Sequence, residues 1–172
     1  MTATVDIALV PLDRSHMART RAWANDPEIA RVMDRARPVS EPEHEAWFES
    51  ILERTDCVYF AVERNAEPRH VGNVWLWAVD GRHRKAELRI VIGDPAARGL
   101  GIGRAAIDRL CRYGFERLNL HRVYAFVLAI NPGARRAFEQ AGFAVEGTLR
   151  QDRWAGDHFT DVYVLGRLNT TT

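Results

Sequence analysis

At 172 residues and 47% hydrophobic content, the chain holds enough apolar material for one core and too little length for a second domain, so one domain over 1–172 is expected. Twenty-four Lys+Arg against 23 Asp+Glu leave a formal net charge of +1, which excludes a global field that would recruit nucleic acid or an anionic membrane. Two cysteines without metal-ligand spacing, six histidines without paired spacing and no apolar run near the roughly 20 residues of a membrane span argue against a disulfide framework, a metal site and an embedded helix. The N-terminus lacks the basic-then-apolar order of a signal peptide, so a cytoplasmic location is expected.

In chain order, "VDIALVPL" at 5–12 reads as a strand and Ser15 to Asn25 as a helix, which closes before Asp26-Pro27 because a residue ahead of proline disfavours the helical region. More helix follows. A helix from Ser40 is predicted by an N-cap hydroxyl, an early proline at Pro42 and a capping-box Glu43, with Trp47, Phe48, Ile51 and Leu52 as its apolar stripe. The pattern then turns to β-branched and aromatic runs at 57–62, 70–79 and 86–94, separated by polar turn sequences, which predicts an antiparallel meander of three strands.

After "GDPAARGLG" the period becomes helical. Ile107, Leu110, Cys111, Gly114 and Leu118 share one face, with Arg104, Asp108, Arg112 and Glu116 largely opposite. "RVYAFVLAI" at 122–130 is the nearly continuous apolar run expected of a strand covered on both faces, and strand, helix, strand in this order predicts a right-handed crossover between parallel strands. Asn131-Pro132 starts another helix that stops at Gly142, and 143–154 and 158–168 form a closing hairpin about Ala155-Gly156-Asp157. The fold class is mixed α/β.

Arg98-Gly99-Leu100-Gly101-Ile102-Gly103-Arg104 therefore joins the end of a buried strand to the start of a helix. The first N–H groups of a helix lack intrahelical partners and carry the positive end of its dipole, so glycines that admit close approach make this junction suited to phosphate. A Walker A loop is excluded, since Gly103 is followed by Arg-Ala rather than Lys-Ser/Thr. A dinucleotide fingerprint is matched formally by Gly101 to Ala106, yet the following strand ends in "LAIN" without an acidic residue for a ribose hydroxyl.

The stretch from Arg98 to Gly103 matches the Gln/Arg-x-x-Gly-x-Gly/Ala loop of the GNAT superfamily of acyl-CoA N-acyltransferases, and "NPGARRAFEQAGF" resembles its second marker, an Asn-capped helix ending in Gly-Phe. From about Val71 to Leu168 the chain resembles the branch of spermidine, amino-sugar and ribosomal-protein N-terminal acetyltransferases. The resemblance implies a mixed sheet of about seven strands flanked by helices and splayed at the acyl-CoA site. Acetyl-CoA is then the co-substrate, with no metal, and its pyrophosphate lies on the backbone N–H groups of Arg98, Gly99, Leu100, Gly101, Ile102, Gly103 and Arg104. Its pantetheine arm lies along Ile90, Val91 and Ile92, with Asn131 on the opposite side and Arg135 or Arg136 at the ribose phosphate.

Attack of an amine on a thioester needs a neutral amine, hence a carboxylate that takes its proton directly or through water. The resemblance places Glu87 there, although a structural pairing with Arg89 or Arg84 suits the same residue. A backbone N–H near Val91 would stabilise the developing oxyanion. The tyrosine and the serine that relatives use to protonate the departing thiolate are Phe138 and Ala134 here. A thiol titrating near 8.5 leaves tolerably without them, or with Tyr163.

The implied partner is a small-molecule amine, without nucleic acid or membrane, and the chain is a possible homodimer. Asp26, Glu28, Glu41, Glu43, Glu45, Asp80, Asp152, Asp157 and Asp161 would suit a cationic or amino-sugar acceptor such as a polyamine or aminoglycoside, with self-protection against an antibiotic as one role. Acidic residues also belong in first turns of helices and in loops for structural reasons. Trp75 and Trp77 share a strand face and would wall an acceptor cleft or cover the core, and His158 and Asp161 in the closing hairpin are further acceptor candidates. Acetylation of a protein N-terminus and a catalytically weak CoA-binding regulator are the alternatives. Cys111 and Cys57 read as packing residues rather than nucleophiles.

Overall fold

The structure, a computed structural model, describes residues 5–65 and 69–170. Seven strands form one sheet in the order β1-β2-β3-β4-β5-β7-β6. They are β1 Ile7–Pro11, β2 Val58–Arg64, β3 Arg69–Asp80, β4 Lys85–Ile92, β5 Arg122–Leu128, β6 Ala144–Trp154 and β7 Phe159–Leu168. Every neighbouring pair is antiparallel except β4 and β5. The parallel step is the crossover expected from the strand-helix-strand order.

Five helices pack on the sheet: α1 Met17–Ala24, α2 Pro27–Val32, α3 Glu41–Glu53, α4 Ile102–Arg117 and α5 Pro132–Gln140. Their starts follow local chemistry. Asp26 accepts from the N–H groups of Glu28 and Ile29, Ser40 and Glu43 form a reciprocal capping box, and Asn131 accepts from the Ala134 N–H. α4 buries Ile102, Ala106, Ile107, Leu110, Cys111 and Gly114, a helical-period stripe against the principal core with Val74, Leu76, Leu88 and Val123. Each fully buried aliphatic side chain there contributes roughly 1.5–3 kcal/mol.

Two details differ from the sequence reading. Leu52 is 59% exposed, while His44 and Ile51 are buried with Phe48; α3 is rolled so that the polar His44 takes the inward position beside Trp47. β5 is covered on one face only: Val123 and Ala125 are buried and Phe126 is 47% exposed. The layer formed by α1 to α3 packs over β1 to β4 and stops short of this half of the sheet. β6, whose residues are exposed throughout, is its outer edge.

Candidate active site

The sheet opens along the second half of β4, ahead of the glycine-rich loop. β4 and β5 pair only from Lys85 to Glu87 against Arg122 to Tyr124. Beyond Glu87 the register of β4 continues with β3 alone, through Ile90 opposite Val74, Val91 opposite Asn73 and Ile92 opposite Gly72. Ile90 to Ile92 thus present a strand edge to a gap, the splay expected at an acyl-CoA site. The gap is a cleft of about 560 Å³ lined by Glu87 to Ile90, Phe126 to Leu128 and, from α5, Asn131, Ala134 and Phe138.

At one end of β4, Asp94 caps a 3-10 turn at Pro95–Ala97 and the chain enters α4 through Gly99 and Gly101, both in the left-handed region at φ +75° and +77°. Glycine adopts that conformation without the penalty a Cβ brings. The first turn closes with the Ala105 N–H on the Gly101 carbonyl at 3.0 Å. Ile102, Gly103 and Arg104 therefore begin α4 with N–H groups that have no intrahelical acceptor, at the positive end of the dipole. The residues present fit a diphosphate. Arg98 acts differently from a phosphate clamp: its guanidinium donates back to the Ile92 and Gly93 carbonyls at 3.2 and 3.3 Å and lies 3.7 Å from Glu28. It fixes the loop to the end of β4. Arg104 and Arg136 are exposed.

Glu87 lies at the last paired rung, 9% exposed, and lines the cleft. Both its carboxylate oxygens accept from Arg89, Nε at 2.7 Å and Nη2 at 2.9 Å, a bidentate, charge-assisted pair that fixes the carboxylate's orientation. Of the two partners weighed from sequence, Arg89 is the one present; Arg84 instead donates to the Asn119 carbonyl and side chain. Arg89 also lies 5.4 Å over the Trp77 ring, which holds Arg54 at 4.0 Å. Trp77 is thus a shelf for arginines. Trp75 is 6% exposed, stacks on Tyr59 at 4.6 Å and lines the cleft.

The usual positions of the general acid are at the cleft as Ala134 and Phe138. Phe138 is 3% exposed and packs edge-to-face on Phe143 at 5.0 Å. Tyr163 lies under the Arg135 guanidinium at 4.4 Å. It does not line the cleft, and no hydroxyl from it is directed there by any contact the structure shows.

The remaining acceptor candidates do not converge. Asp26 is consumed as the α2 cap and Glu28 faces Arg98. His158 pairs with Asp157 at 2.6 Å in the exposed hairpin tip, and Asp161 accepts from the Gln151 N–H. Glu41, Glu43 and Glu45 face Arg21, Arg37 and Arg14, Asp80 faces His83, and Asp152 faces Arg153. Each of these carboxylates is met locally by an arginine, a histidine or a backbone N–H. Sequence reasoning missed Met33, Asp34 and Arg35, which line the cleft from the segment after α2. A polar loop carries no periodicity that would mark it. Among the described residues no group of three or more His, Cys, Asp or Glu is placed to hold a metal, and no helix is long and apolar enough to cross a membrane.

A family model for the acetyltransferase (GNAT) domain matches residues 6–144. The chain belongs to the GNAT acetyltransferases. Among its GNAT relatives, the spermidine N(1)-acetyltransferase of Vibrio cholerae is 37% identical over 103 residues, covering 60% of this chain and 58% of that enzyme. The Escherichia coli K12 spermidine N(1)-acetyltransferase is 28% identical over 160 residues, covering 88% and 80%. A crystal structure of the Vibrio cholerae enzyme with CoA and spermine superposes at a TM-score of 0.87 with 28% identity, covering 95% of each chain. A dodecameric structure of that enzyme superposes at 0.80, also with 28% identity and covering 95% of this chain and 94% of that one.

Proposed function

We infer that this GNAT domain transfers the acetyl group of acetyl-CoA to a primary amine of a small acceptor, with polyamines as the class its relatives support. The observation that carries the reading is the order along one stretch of chain: a buried carboxylate, Glu87, where β4 and β5 part, then an edge of β4 that β5 leaves unpaired, then the open N-terminus of α4.

Acetyl-CoA supplies a thioester whose C–S bond breaks as the amine nitrogen bonds to the acetyl carbon. In this chain the N–H groups from Gly99 to Arg104 bind the diphosphate, and the β4 edge from Ile90 to Ile92 holds the arm by strand-like pairing. Asn131 borders the other side. Glu87 takes the proton that the attacking amine releases, directly or through one water, and Arg89 keeps its oxygens in place. A backbone N–H on the open edge of β4, near Val91, stabilises charge on the acetyl oxygen. With Phe138 and Ala134 at the acid positions, the thiolate departs without a side-chain proton, which its ordinary thiol acidity permits.

The test is CoA release measured with a thiol reagent over a panel of spermidine, spermine, aminoglycosides, nucleotide amino sugars and short peptides. Turnover with a small primary amine and none with peptides is expected. Tight acetyl-CoA binding without turnover of any amine would replace this reading with a regulatory one.

Association of copies belongs to the same reading. Phe126 and Leu149 stand on one exposed sheet face, with Trp154 and Phe159 in ring contact at the hairpin end, a surface suited to a second copy. Sedimentation at micromolar concentration should show a dimer or larger species, and a monomer would refute it.

A further inference from the structure

Behind the cleft lies a second cavity of about 170 Å³, between α1 to α3 and the face of β2 to β4. The two share Met33, Arg35 and Trp75 at their junction. Val91 is part of the inner cavity's lining, so a group seated there stands beside the β4 edge at which the acetyl carbonyl is read to lie. The volume is close to the roughly 150 Å³ of an engineered apolar cavity that binds benzene.

Its chemistry is unlike that of a polyamine site. Trp23, Ile29, Met33, Trp47, Tyr59 and Trp75 give its wall large aromatic and aliphatic faces, and no carboxylate is among its lining residues. His44 adds no negative charge, and burial together with Arg21 and Arg35 holds its imidazole below the ordinary value, towards the neutral form. In the outer cleft the two carboxylates are taken: Glu87 by Arg89, and Asp34 by Arg153 at 2.9 Å. A second ammonium group on an acceptor therefore meets no free counter-charge here. An aromatic or branched aliphatic group loses its water and gains contacts.

Arg35 supplies the complementary element. Arg89 and Arg153 are both committed to carboxylates, whereas among the described residues the Arg35 guanidinium has no ion-pair or hydrogen-bond partner. It stands at the junction, where a group adjacent to the reacting amine would lie, and a planar guanidinium matches a carboxylate in a bidentate fork.

We propose that the cleft accepts a second class of substrate, apolar α-amino acids of phenylalanine or leucine size, with the side chain in the inner cavity, the carboxylate on Arg35 and the α-amine facing Glu87. This rests on the acetyl-transfer reading and goes beyond its polyamine class. The reaction balances as before: the α-amine nitrogen bonds to the acetyl carbon, the C–S bond breaks, and the amine proton passes to Glu87.

The experiment compares kcat/KM of the full chain with acetyl-CoA for L-phenylalanine and L-leucine against their decarboxylated counterparts, phenethylamine and isopentylamine, with spermidine as reference. Each amino acid is expected to exceed its counterpart at least tenfold. Arg35 is exposed, so its substitution tests recognition rather than folding. Arg35→Gln should remove that advantage and raise spermidine turnover by relieving like-charge repulsion, and Arg35→Lys should restore part of the advantage. Parity between each amino acid and its counterpart, or an advantage indifferent to Arg35→Gln, overturns the proposal. Turnover of spermidine with neither amino acid overturns it and leaves acetyl transfer standing. Failure of every amine removes the acetyl-transfer reading and the proposal with it.

Discussion

Replacing Gly101 with valine probes the phosphate end of the groove directly. Gly101 sits at φ +77° and ψ 4° as the N-cap of α4, and a Cβ built there lies 3.3 Å from the Val5 Cγ2. An L-residue in the left-handed region costs about 1–2 kcal/mol, and the contact with Val5 is tighter than ordinary packing. The strain is relieved by turning the peptide, which moves the N–H groups that must converge on the diphosphate. A hydrogen bond to a charged group contributes about 1.5–3 kcal/mol, so misaligning one donor weakens CoA binding by about 10- to 100-fold. Calorimetry with CoA should show that loss, while scanning calorimetry should show a fall in Tm of about 2–8 °C for a chain of this length. Gly81→Ala is the control, since its Cβ meets nothing within 4 Å and its φ is not positive; binding there should be unchanged. A Gly101→Val protein that binds CoA within twofold of the parent, with the expected fall in Tm, would refute the assignment of this loop.

Glu87→Gln keeps a hydrogen-bonding partner for Arg89 but cannot take a proton, so kcat should fall by about 10²-fold or more and the acid limb of the rate–pH profile should flatten; an unchanged profile removes Glu87 from the chemistry. Phe138→Tyr should leave kcat equal or raise it, with a modest loss of Tm from crowding against Phe143; a collapse of activity in a folded protein would show that no hydroxyl fits there. His70 is buried against Trp23 and His16, its Nε2 lies 2.7 Å from the Asn73 Oδ1, its Nδ1 finds no partner among the described residues, and burial holds its imidazole below the ordinary value. The unfolded chain therefore binds a proton at His70 more readily than the folded one. The stability from this site is present above about pH 6.5, the ordinary histidine value, and is lost as pH falls towards the depressed folded value. His70→Gln should flatten the acid side of a Tm–pH curve below that point, and an unaltered curve would refute the linkage.

Much of this molecule is written in local chemistry. Ser40-Glu41-Pro42-Glu43 and Asn131-Pro132 specify helix starts because caps satisfy N–H groups within four residues, and both start where expected. The glycine turn into α4 was legible for the same reason. Gly99 and Gly101 hold positive φ and the helical period begins just after them, so the geometry of this turn is a property of six consecutive residues. Even the parallel step between β4 and β5 followed from element order, since an intervening helix carries the chain back to the end of the sheet where β4 began.

What the sequence does not carry is pairing between distant charges and the direction in which layers extend. Nine acidic residues suggested a cationic acceptor, but which arginine, histidine or backbone N–H each one meets is decided by packing, and those meetings leave none of the nine aimed at the cleft. The exposed half of β5 depends on where α1 to α3 end over the sheet, which no periodicity in β5 encodes. The cavity beside Arg35 exists only because three helices arch over three strands. Local signals act over one turn or one strand rung, while a cavity is the space left between elements far apart in the chain, and only the assembled layers define it.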